Sequence, residues 1–274
     1  MGFDVKLLGE LEFTVDGTSI TPTAAKPRQL LAMLTLNAGT TVSVSALMAE
    51  VWNEGPPRSA TATLHTYIGK LRKSLRSAMR RSQADAERVL VTEPAGYRLV
   101  LPPGSLDTEE YHRHAVIGRH AADAGDYLTA TRSLGTALAL WRGPALADTA
   151  PGPNMLADIV ALEETRLADL DLRIGADLQL GRHGRLLGEL AGLCARYPTS
   201  ENFCAKYMLA LYRSGRQGRA LEVFHLLRKT MVDQLGVDPP ACVQRLHSAV
   251  LRGDSAVADP YFQTENRLAV GAAG

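Results

Sequence analysis

A stretch in the first third of the chain carries only basic charges and has the periodicity of a helix. Between Arg58 and Ala84 there are seven Arg or Lys residues and no Asp or Glu, although the whole chain has a net charge of only +1. Four apolar residues recur within it at intervals of four, three and four, namely Leu64, Ile68, Leu71 and Leu75. This spacing places them on one helix face, so the stretch is predicted to be an amphipathic helix that packs on a core.

The opposite face of this predicted helix is polar, basic and free of carboxylates. It carries Ser59, Thr63, Thr66, Lys70 and Lys73, with Arg72 and Arg76 on its flank. Such a face can lie in the major groove of DNA, because it brings hydrogen-bonding side chains to base edges and no negative charge to the phosphates. A solvated amphipathic helix with a basic bias explains the same pattern, and this stretch alone does not separate the two.

The preceding sequence has the signals of a small mixed domain. Two short β-favouring segments, 5–8 and 11–15, open the chain. An apolar helix is predicted over 26–37, and Ser43 can cap a second helix over 44–52. The basic stretch therefore follows two helices that can form a core for it.

The following sequence predicts a hairpin. Segments 89–92 and 97–100 favour β structure, and Pro94-Ala95-Gly96 between them suits a tight turn. Strands, three helices and a hairpin, in that order, make a winged helix-turn-helix, in which the third helix enters the major groove and the hairpin forms the wing. The flanking sequence thus favours DNA binding over a merely solvated helix.

This geometry assigns roles to the polar side chains of the third helix and its surroundings. We expect Thr63, Thr66 and Lys70 to reach base edges, with help from His65, and the remaining basic residues to hold mainly phosphates. The expected DNA-binding residues are Arg58, Thr63, His65, Thr66, Lys70, Arg72, Lys73, Arg76 and Arg98.

The basic character of the chain is local. Residues 1–106 carry a net charge of +3 and residues 107–274 a net charge of −2, so a focused patch is expected to attract nucleic acid. No apolar run approaches the ~20 residues that span a bilayer, and no secretory signal precedes Phe3, so we expect a cytoplasmic protein without a membrane partner. The three cysteines lack Cys-x-x-Cys spacing and are expected to be reduced structural thiols.

The second half of the chain contains a helical repeat. Gly-Arg-His-Gly-Arg-Leu-Leu at 181–187 recurs as Gly-Arg-Gln-Gly-Arg-Ala-Leu at 215–221, an offset of 34 residues. This offset is the period of tetratricopeptide helix pairs, which stack and present a groove to a partner. A plain helical domain without a partner is the alternative.

The predicted fold class is therefore mainly α with a small β component. The expected domains are a winged helix-turn-helix of the response-regulator output type over 1–102 and an all-α tetratricopeptide-like domain over 106–252. Residues 253–274 are expected to form a flexible tail.

The sequence contains no pattern of a catalytic or metal site. There is no Ser/His/Asp or Cys/His constellation and no Gly-x-Ser-x-Gly, so we expect no enzyme activity. His112 and His114 face different directions on a helix, which argues against a metal site with His120. We expect no cofactor and no bound metal.

Several separated motifs, in the same order, are similar to those of the Streptomyces antibiotic regulatory proteins in their short form. In the first domain, residues 63–72 resemble the recognition helix of this family and residues 94–99 its wing. In the second domain, Leu-Trp-Arg-Gly-Pro at 140–144 resembles a hallmark of the bacterial transcriptional activation domain. The further matching segments are 8–9, 27–32, 44–52, 56–57, 209–217 and 235–239.

The resemblance implies an activator of a secondary-metabolite gene cluster. Such a protein binds direct repeats in promoter DNA near the −35 element, with protomers side by side, and contacts the sigma factor and core subunits of RNA polymerase holoenzyme. The chain has no Gly-x-x-x-x-Gly-Lys-Ser/Thr loop, so the nucleotide-hydrolysing module of larger members is not expected. The competing interpretation is a tetratricopeptide-type adaptor without specific DNA binding.

Overall fold

The structure is a computed structural model that describes residues 2–53, 55–79 and 83–254. The predicted tail from 255 onward lies outside these residues, as do Arg80 and Arg81. The strands are β1 (Phe3–Lys6), β2 (Glu12–Val15), β3 (Thr18–Ser19), β4 (Thr41–Ser43), β5 (Leu90–Glu93) and β6 (Gly96–Leu99). The helices are α1 (Ala25–Leu36), α2 (Val44–Trp52), α3 (Ala60–Met79), α4 (Gln83–Val89), α5 (Asp107–Asp123), α6 (Tyr127–Ala139), α7 (Pro153–Gln179), α8 (His183–Arg196), α9 (Glu201–Arg213), α10 (Gln217–Leu235) and α11 (Ala241–Leu251).

This order confirms the predicted fold class. Strands β1, β2 and β3 form an antiparallel sheet, the helices α1 to α4 follow with β4 between α1 and α2, and β5 and β6 form the predicted hairpin before an all-helical part begins. Within the described residues, no helix combines the length and the apolar character that crossing a membrane requires.

The wing belongs to a three-stranded sheet whose third member was not predicted. Strand β4 pairs antiparallel with β6, so that the sheet order is β4-β6-β5. Ser43 at the end of β4 then caps α2, since its hydroxyl accepts a hydrogen bond from the backbone N–H of Ala46 at 3.1 Å. The predicted cap is confirmed, and β4 fixes α2 to the base of the wing.

The four predicted core residues of the basic helix are all buried. Leu64, Ile68, Leu71 and Leu75 on α3 are 0–2% exposed, in a cluster with the apolar residues of β1, β2, α1 and α2. Burying four such side chains contributes on the order of 6–12 kcal/mol before the entropy cost, which is enough to fix the rotation of α3 about its axis. That rotation decides which side chains α3 presents to solvent.

Two glycine turns explain the repeated motif of the second half. Gly181 lies in the turn that follows α7, and Gly215 lies in the turn that follows α9. Both glycines have a positive φ, of +70° and +74° respectively. In both turns the residue after the glycine donates a backbone hydrogen bond to the carbonyl five positions earlier. Arg182 donates to Asp177, and Arg216 donates to Leu211. This is the helix-ending motif that glycine favours, so the 34-residue offset reflects two equivalent turns between antiparallel helices.

The described chain divides into two compact units. Unit 1 comprises residues 1–116 and 136–167, and unit 2 comprises residues 117–135 together with those from 168 onward. Unit 1 therefore extends past position 102, and the domain limits 1–102 and 106–252 stay a prediction.

Within unit 1, the Leu-Trp-Arg-Gly-Pro segment contacts the turn after β1. The backbone N–H of Arg142 donates to the carbonyl of Leu8 at 2.8 Å, and that of Leu146 donates to the carbonyl of Leu7 at 3.0 Å. Trp141 packs edge-on against Tyr111, with ring centroids 5.7 Å apart. The motif that resembles the activation domain thus stabilises the N-terminal sheet.

Candidate DNA-binding surface

The solvent-facing side of α3 is polar and basic, and it contains no acidic residue. Because α3 buries its apolar face, the residues at 66, 70 and 73 point away from the core, and all three side chains are exposed. Ala62 and Gly69 lie on the same exposed side and have little or no side chain. A second molecule can therefore approach the helix closely on the N-terminal side of Lys70.

The two predicted threonines keep part of their hydrogen-bonding capacity. The hydroxyl of Thr63 donates to the carbonyl of Ser59, and that of Thr66 donates to the carbonyl of Ala62, each at 2.9 Å. A hydroxyl that donates once retains two acceptor lone pairs, so each oxygen can still accept from an amino group of a base. Thr66 is exposed and Thr63 is half-buried, which gives Thr66 the better access.

Arg72 ties α3 to the wing. Its Nε and Nη2 atoms donate to the carbonyl of Leu90 at 3.0 and 2.7 Å, and Nη2 also donates to the hydroxyl of Thr92 at 2.8 Å. The guanidinium lies 6.0 Å from the ring centroid of Tyr97. These contacts fix the angle between α3 and the hairpin, whatever the remaining N–H groups of Arg72 contact.

Arg98 has a charged partner within the wing. Its Nε and Nη2 atoms donate to one carboxylate oxygen of Glu93, at 3.0 and 2.6 Å. Glu93 and Arg98 lie on the paired strands β5 and β6, and both side chains remain partly exposed. The carboxylate offsets the charge that Arg98 offers to a phosphate, and this pairing was not predicted.

The remaining predicted residues lie on or next to α3. His65 is exposed, and its ring stands edge-on to that of Tyr97 with centroids 6.5 Å apart. Arg58 is exposed in the segment before α3, close to the helix N-terminus, where backbone N–H groups add partial positive charge. Arg76 is exposed one turn after Lys73. The structure therefore brings all nine predicted residues to α3, its leading loop and the wing.

The supporting role of Tyr97 was not predicted. This residue is 6% exposed and lies beneath both His65 and the guanidinium of Arg72. Its position in a strand directly after the hairpin turn was a usable signal. Successive side chains of a strand point to opposite faces, so every second one must face the helices. Tyr97 holds two of the candidate DNA contacts in place.

Replacing Gly69 by Ala should separate the stability of the protein from its DNA affinity. A Cβ at this position meets no atom within 4 Å, so the free protein accommodates it, and the higher helix propensity of Ala should stabilise the fold by about 0.5–1 kcal/mol. If DNA approaches this face, the added methyl group should weaken binding at the same time. Chemical denaturation and a DNA titration of the same sample measure the two effects, and a variant that binds DNA as well as the wild type would contradict a close approach at Gly69.

The chain matches two family models that together follow the order of its elements. The model described as "Transcriptional regulatory protein, C terminal" matches residues 18–99, and the one described as "Bacterial transcriptional activator domain" matches residues 106–251. The first match contains α3 and the wing, and the second contains the glycine turns. The order of the two matches is therefore the order of the two predicted domains.

Relatives match over most of the chain. The regulatory protein DnrI of Streptomyces peucetius is 44% identical over 92% of this chain and 93% of its own length. The transcriptional regulator RedD of Streptomyces coelicolor is 34% identical over 94% of this chain and 73% of its own length.

A solved structure of Mycobacterium tuberculosis EmbR in complex with a low-affinity phosphopeptide superposes with a TM-score of 0.83 at 33% identity. The superposition covers 97% of this chain and 70% of that one. Two family matches in the expected order, similarity to DnrI over most of both chains and the shared fold lead to one conclusion. The chain belongs to the family of Streptomyces antibiotic regulatory proteins, which are DNA-binding transcriptional regulators.

Proposed function

We propose that this protein activates an antibiotic biosynthetic gene cluster by binding direct repeats near the −35 element of its promoter and recruiting RNA polymerase holoenzyme. The observation that carries the DNA-binding step is the exposed face of α3, which has two lysines and no carboxylate along twenty helical residues. Its positive charge complements the DNA phosphates, and its small residues allow the helix to lie close to the bases in the major groove. Membership in this family of regulators supports the proposed contacts to the sigma factor and to core subunits of the polymerase.

The residue roles follow from exposure. Lys70 and Thr66 would reach base edges, and Thr63 and His65 would contact the groove from the N-terminal half of α3. Arg58, Lys73 and Arg76 would hold phosphates. Arg72 and Arg98 would contact phosphates through the N–H groups that the wing leaves available, so their main contribution is to orient the wing.

Direct repeats would place protomers head to tail on one face of the duplex. Repeats spaced by whole helical turns, about 10–10.5 base pairs each, keep neighbouring protomers in register. Such a regulator would act where the chromosome is, in the cytoplasm, with promoter DNA as its partner.

Changing the repeat spacing tests this arrangement. Inserting about half a helical turn between two repeats should abolish cooperative binding, because the second protomer rotates to the opposite face of the duplex. Inserting a full turn should restore part of the cooperativity and serves as the control. Electrophoretic mobility shifts over a range of protein concentrations measure it, and equal cooperativity at both spacings would contradict side-by-side protomers.

A tetratricopeptide-type adaptor remains the competing function. The glycine turns and antiparallel helices of unit 2 favour a partner-binding role for that unit. An adaptor needs no DNA contact from α3, so charge reversal on that helix separates the two functions.

A further inference from the structure

Two side chains of opposite charge share the solvent-facing side of the wing. Glu93 is the last residue of β5 and pairs with Gly96 across the hairpin turn, and Arg98 lies two positions farther along β6. Tyr97 and Leu99 are 6% and 1% exposed, so Arg98 between them points away from the core. Glu93 lies on the same side of the sheet, because its carboxylate reaches the guanidinium of Arg98. A duplex that contacts Arg98 therefore meets Glu93 as well.

The carboxylate of Glu93 holds one edge of the guanidinium of Arg98. Both Nε and Nη2 of Arg98 donate to Oε1 of Glu93, at 3.0 and 2.6 Å. Within residues 2–53, 55–79 and 83–254, Nη1 of Arg98 and Oε2 of Glu93 form no hydrogen bond. The residues that pair with Arg98 on the neighbouring strands are Thr41 and Val91, which carry no charge. Glu93 therefore supplies the charge that balances Arg98 in this sheet.

The stability of the hairpin does not account for this pair. The side chains of Arg98 and Glu93 are 37% and 28% exposed, and exposed ion pairs contribute little, because solvent screening and lost side-chain entropy offset the attraction. The hairpin is also held by the ladders of its sheet and by the contacts of Arg72 to Leu90 and Thr92. The pair matters more for the charge that the wing presents, because each phosphate that a cation neutralises adds to the affinity for DNA.

We propose that Glu93 limits the affinity of the protein for DNA by occupying Arg98 in the place of a phosphate. Guanidinium groups bind carboxylates and phosphates through the same pairs of N–H groups, so the two anions compete for one edge of Arg98. A duplex must displace Glu93 from Arg98 or bind beside a cation that is already neutralised, and either course weakens the electrostatic gain. The inference rests on the proposed DNA-binding function and adds an intramolecular competitor to it.

The penalty from Glu93 should be the same for every DNA sequence. Phosphate contacts position a protein on the duplex but carry no sequence information. Glu93 therefore lowers the general attraction of the wing to DNA and leaves the base contacts proposed for Thr66 and Lys70 on α3 untouched. Binding then depends more on α3 than it would with an unpaired arginine in the wing.

Replacing Glu93 by Gln in the full chain tests the competition. The amide keeps the size of the side chain and can still accept a hydrogen bond, but the negative charge is removed. We expect tighter binding to a labelled duplex of mixed sequence, by about tenfold near 50 mM salt and about threefold near 200 mM, since one more phosphate contact steepens the slope of log affinity against log salt by about 0.9. Fluorescence anisotropy over a range of salt concentrations measures both quantities. The matched control is Glu164→Gln, which removes an exposed carboxylate from α7 and should bind as the wild type does.

The result separates the role of Glu93 from the proposed function. If the wild type binds the duplex with a clear salt dependence and Glu93→Gln has the same affinity and slope, the role of Glu93 is overturned and the proposed function stands. A wild type that binds no duplex would overturn both. An equal gain in Glu164→Gln would attribute the effect to net charge, which also overturns the competition.

A double-mutant cycle with Arg98→Gln shows whether Glu93 acts through Arg98. Competition predicts that the gain from Glu93→Gln near 50 mM salt shrinks at least about threefold when Arg98 is absent, because no cation is left to release. Equal gains in both backgrounds would show that the carboxylate repels phosphates by itself, and this would overturn the proposal. Both side chains are partly exposed, so the variants should fold, and circular dichroism checks this.

The base composition of the duplex tests the phosphate assignment. The gain from Glu93→Gln should be equal on A·T-rich and G·C-rich duplexes, because their phosphates are the same. A gain confined to A·T-rich duplexes would place the released arginine in a narrow minor groove and would overturn competition with a phosphate.

Discussion

Replacing Glu50 by Gln should lower the free energy of unfolding of unit 1 by about 2–4 kcal/mol. Glu50 on α2 is 1% exposed, and its carboxylate lies at the N-terminus of α7. It accepts the backbone N–H of Gly152, and those of Asn154 and Met155 at 3.1 and 3.2 Å. Three N–H groups that have no partner inside α7 are thus satisfied by a side chain of the helix-turn-helix.

Three effects of replacing the carboxylate by an amide set the size of this loss of stability. Hydrogen bonds to a charged group contribute about 1.5–3 kcal/mol, roughly twice those to a neutral one. A negative charge at a helix N-terminus adds up to about 2 kcal/mol in partly buried geometry. The amide also replaces one acceptor oxygen by an N–H₂ group, which would face backbone N–H donors in a buried place.

A second variant should act on the same contact from the other side. A Cβ at Gly152 would lie 2.6 Å from the backbone carbonyl oxygen of Glu50, so Gly152→Ala forces α2 and the start of α7 apart. We expect a loss of stability in the same direction as for Glu50→Gln. The matched control is Glu164→Gln, which changes an exposed carboxylate farther along α7 and should stay within about 0.5 kcal/mol of the wild type.

Tryptophan fluorescence reports on the unfolding of unit 1, which contains Glu50. The chain has two tryptophans, Trp52 and Trp141, and both belong to unit 1. Their emission during urea denaturation therefore follows this unit, and the shift of the midpoint at unchanged slope gives the change in stability. A Glu50→Gln midpoint equal to that of the wild type would show that the buried carboxylate contributes nothing net.

Local signals in the sequence predicted the elements that depend on them. Helix α3 follows from the spacing of four apolar residues, the cap of α2 from Ser43, and the hairpin from Pro94-Ala95-Gly96 between two β-favouring segments. Each signal lies within the element that it specifies. Strand β4 and helix α4 were not predicted. Strand β4 has no strong local signal, because it is three residues long and becomes a strand only by pairing with β6, more than fifty positions later.

Side-chain roles depended on partners that are distant in sequence. Arg72 was expected to hold phosphates, and its contacts to Leu90 and Thr92 arise because the wing folds back on α3. The role of Glu50 had a local signal that was not used: it lies three positions after Leu47 and one before Val51, on the buried face of α2. An acidic residue on an apolar face must find a partner, and here the partner lies about a hundred positions away.

Reversing the charge of both Lys70 and Lys73 should reduce the affinity for promoter DNA by at least about 100-fold at low salt. Both side chains are exposed on α3, so Lys70→Glu and Lys73→Glu remove two cations and place two carboxylates against phosphates. The fold should be unaffected, because neither side chain contributes to the core. Fluorescence anisotropy with labelled duplex measures the affinity, and circular dichroism checks the fold.

Single variants should distinguish a phosphate contact from a base contact. Lys73→Ala should weaken binding to every sequence alike and should lower the slope of log affinity against log salt by about one. Lys70→Ala should cost about 1–3 kcal/mol and relax the preference at one base pair, if the lysine reads a base edge. Equal losses on specific and unrelated DNA for Lys70→Ala would move this residue to the phosphate class.

The control for charge reversal is Arg185→Glu, which changes an exposed basic residue on α8 of unit 2. If DNA binds α3 specifically, Arg185→Glu should bind DNA almost as the wild type does. If the attraction between the protein and DNA is diffuse, Arg185→Glu and the α3 variant should lose comparable affinity. An adaptor predicts a third pattern, in which the α3 variants keep full activity in the cell. Because the net charge of the chain is only +1, diffuse attraction is weak, and a strong effect confined to α3 would assign DNA recognition to this helix.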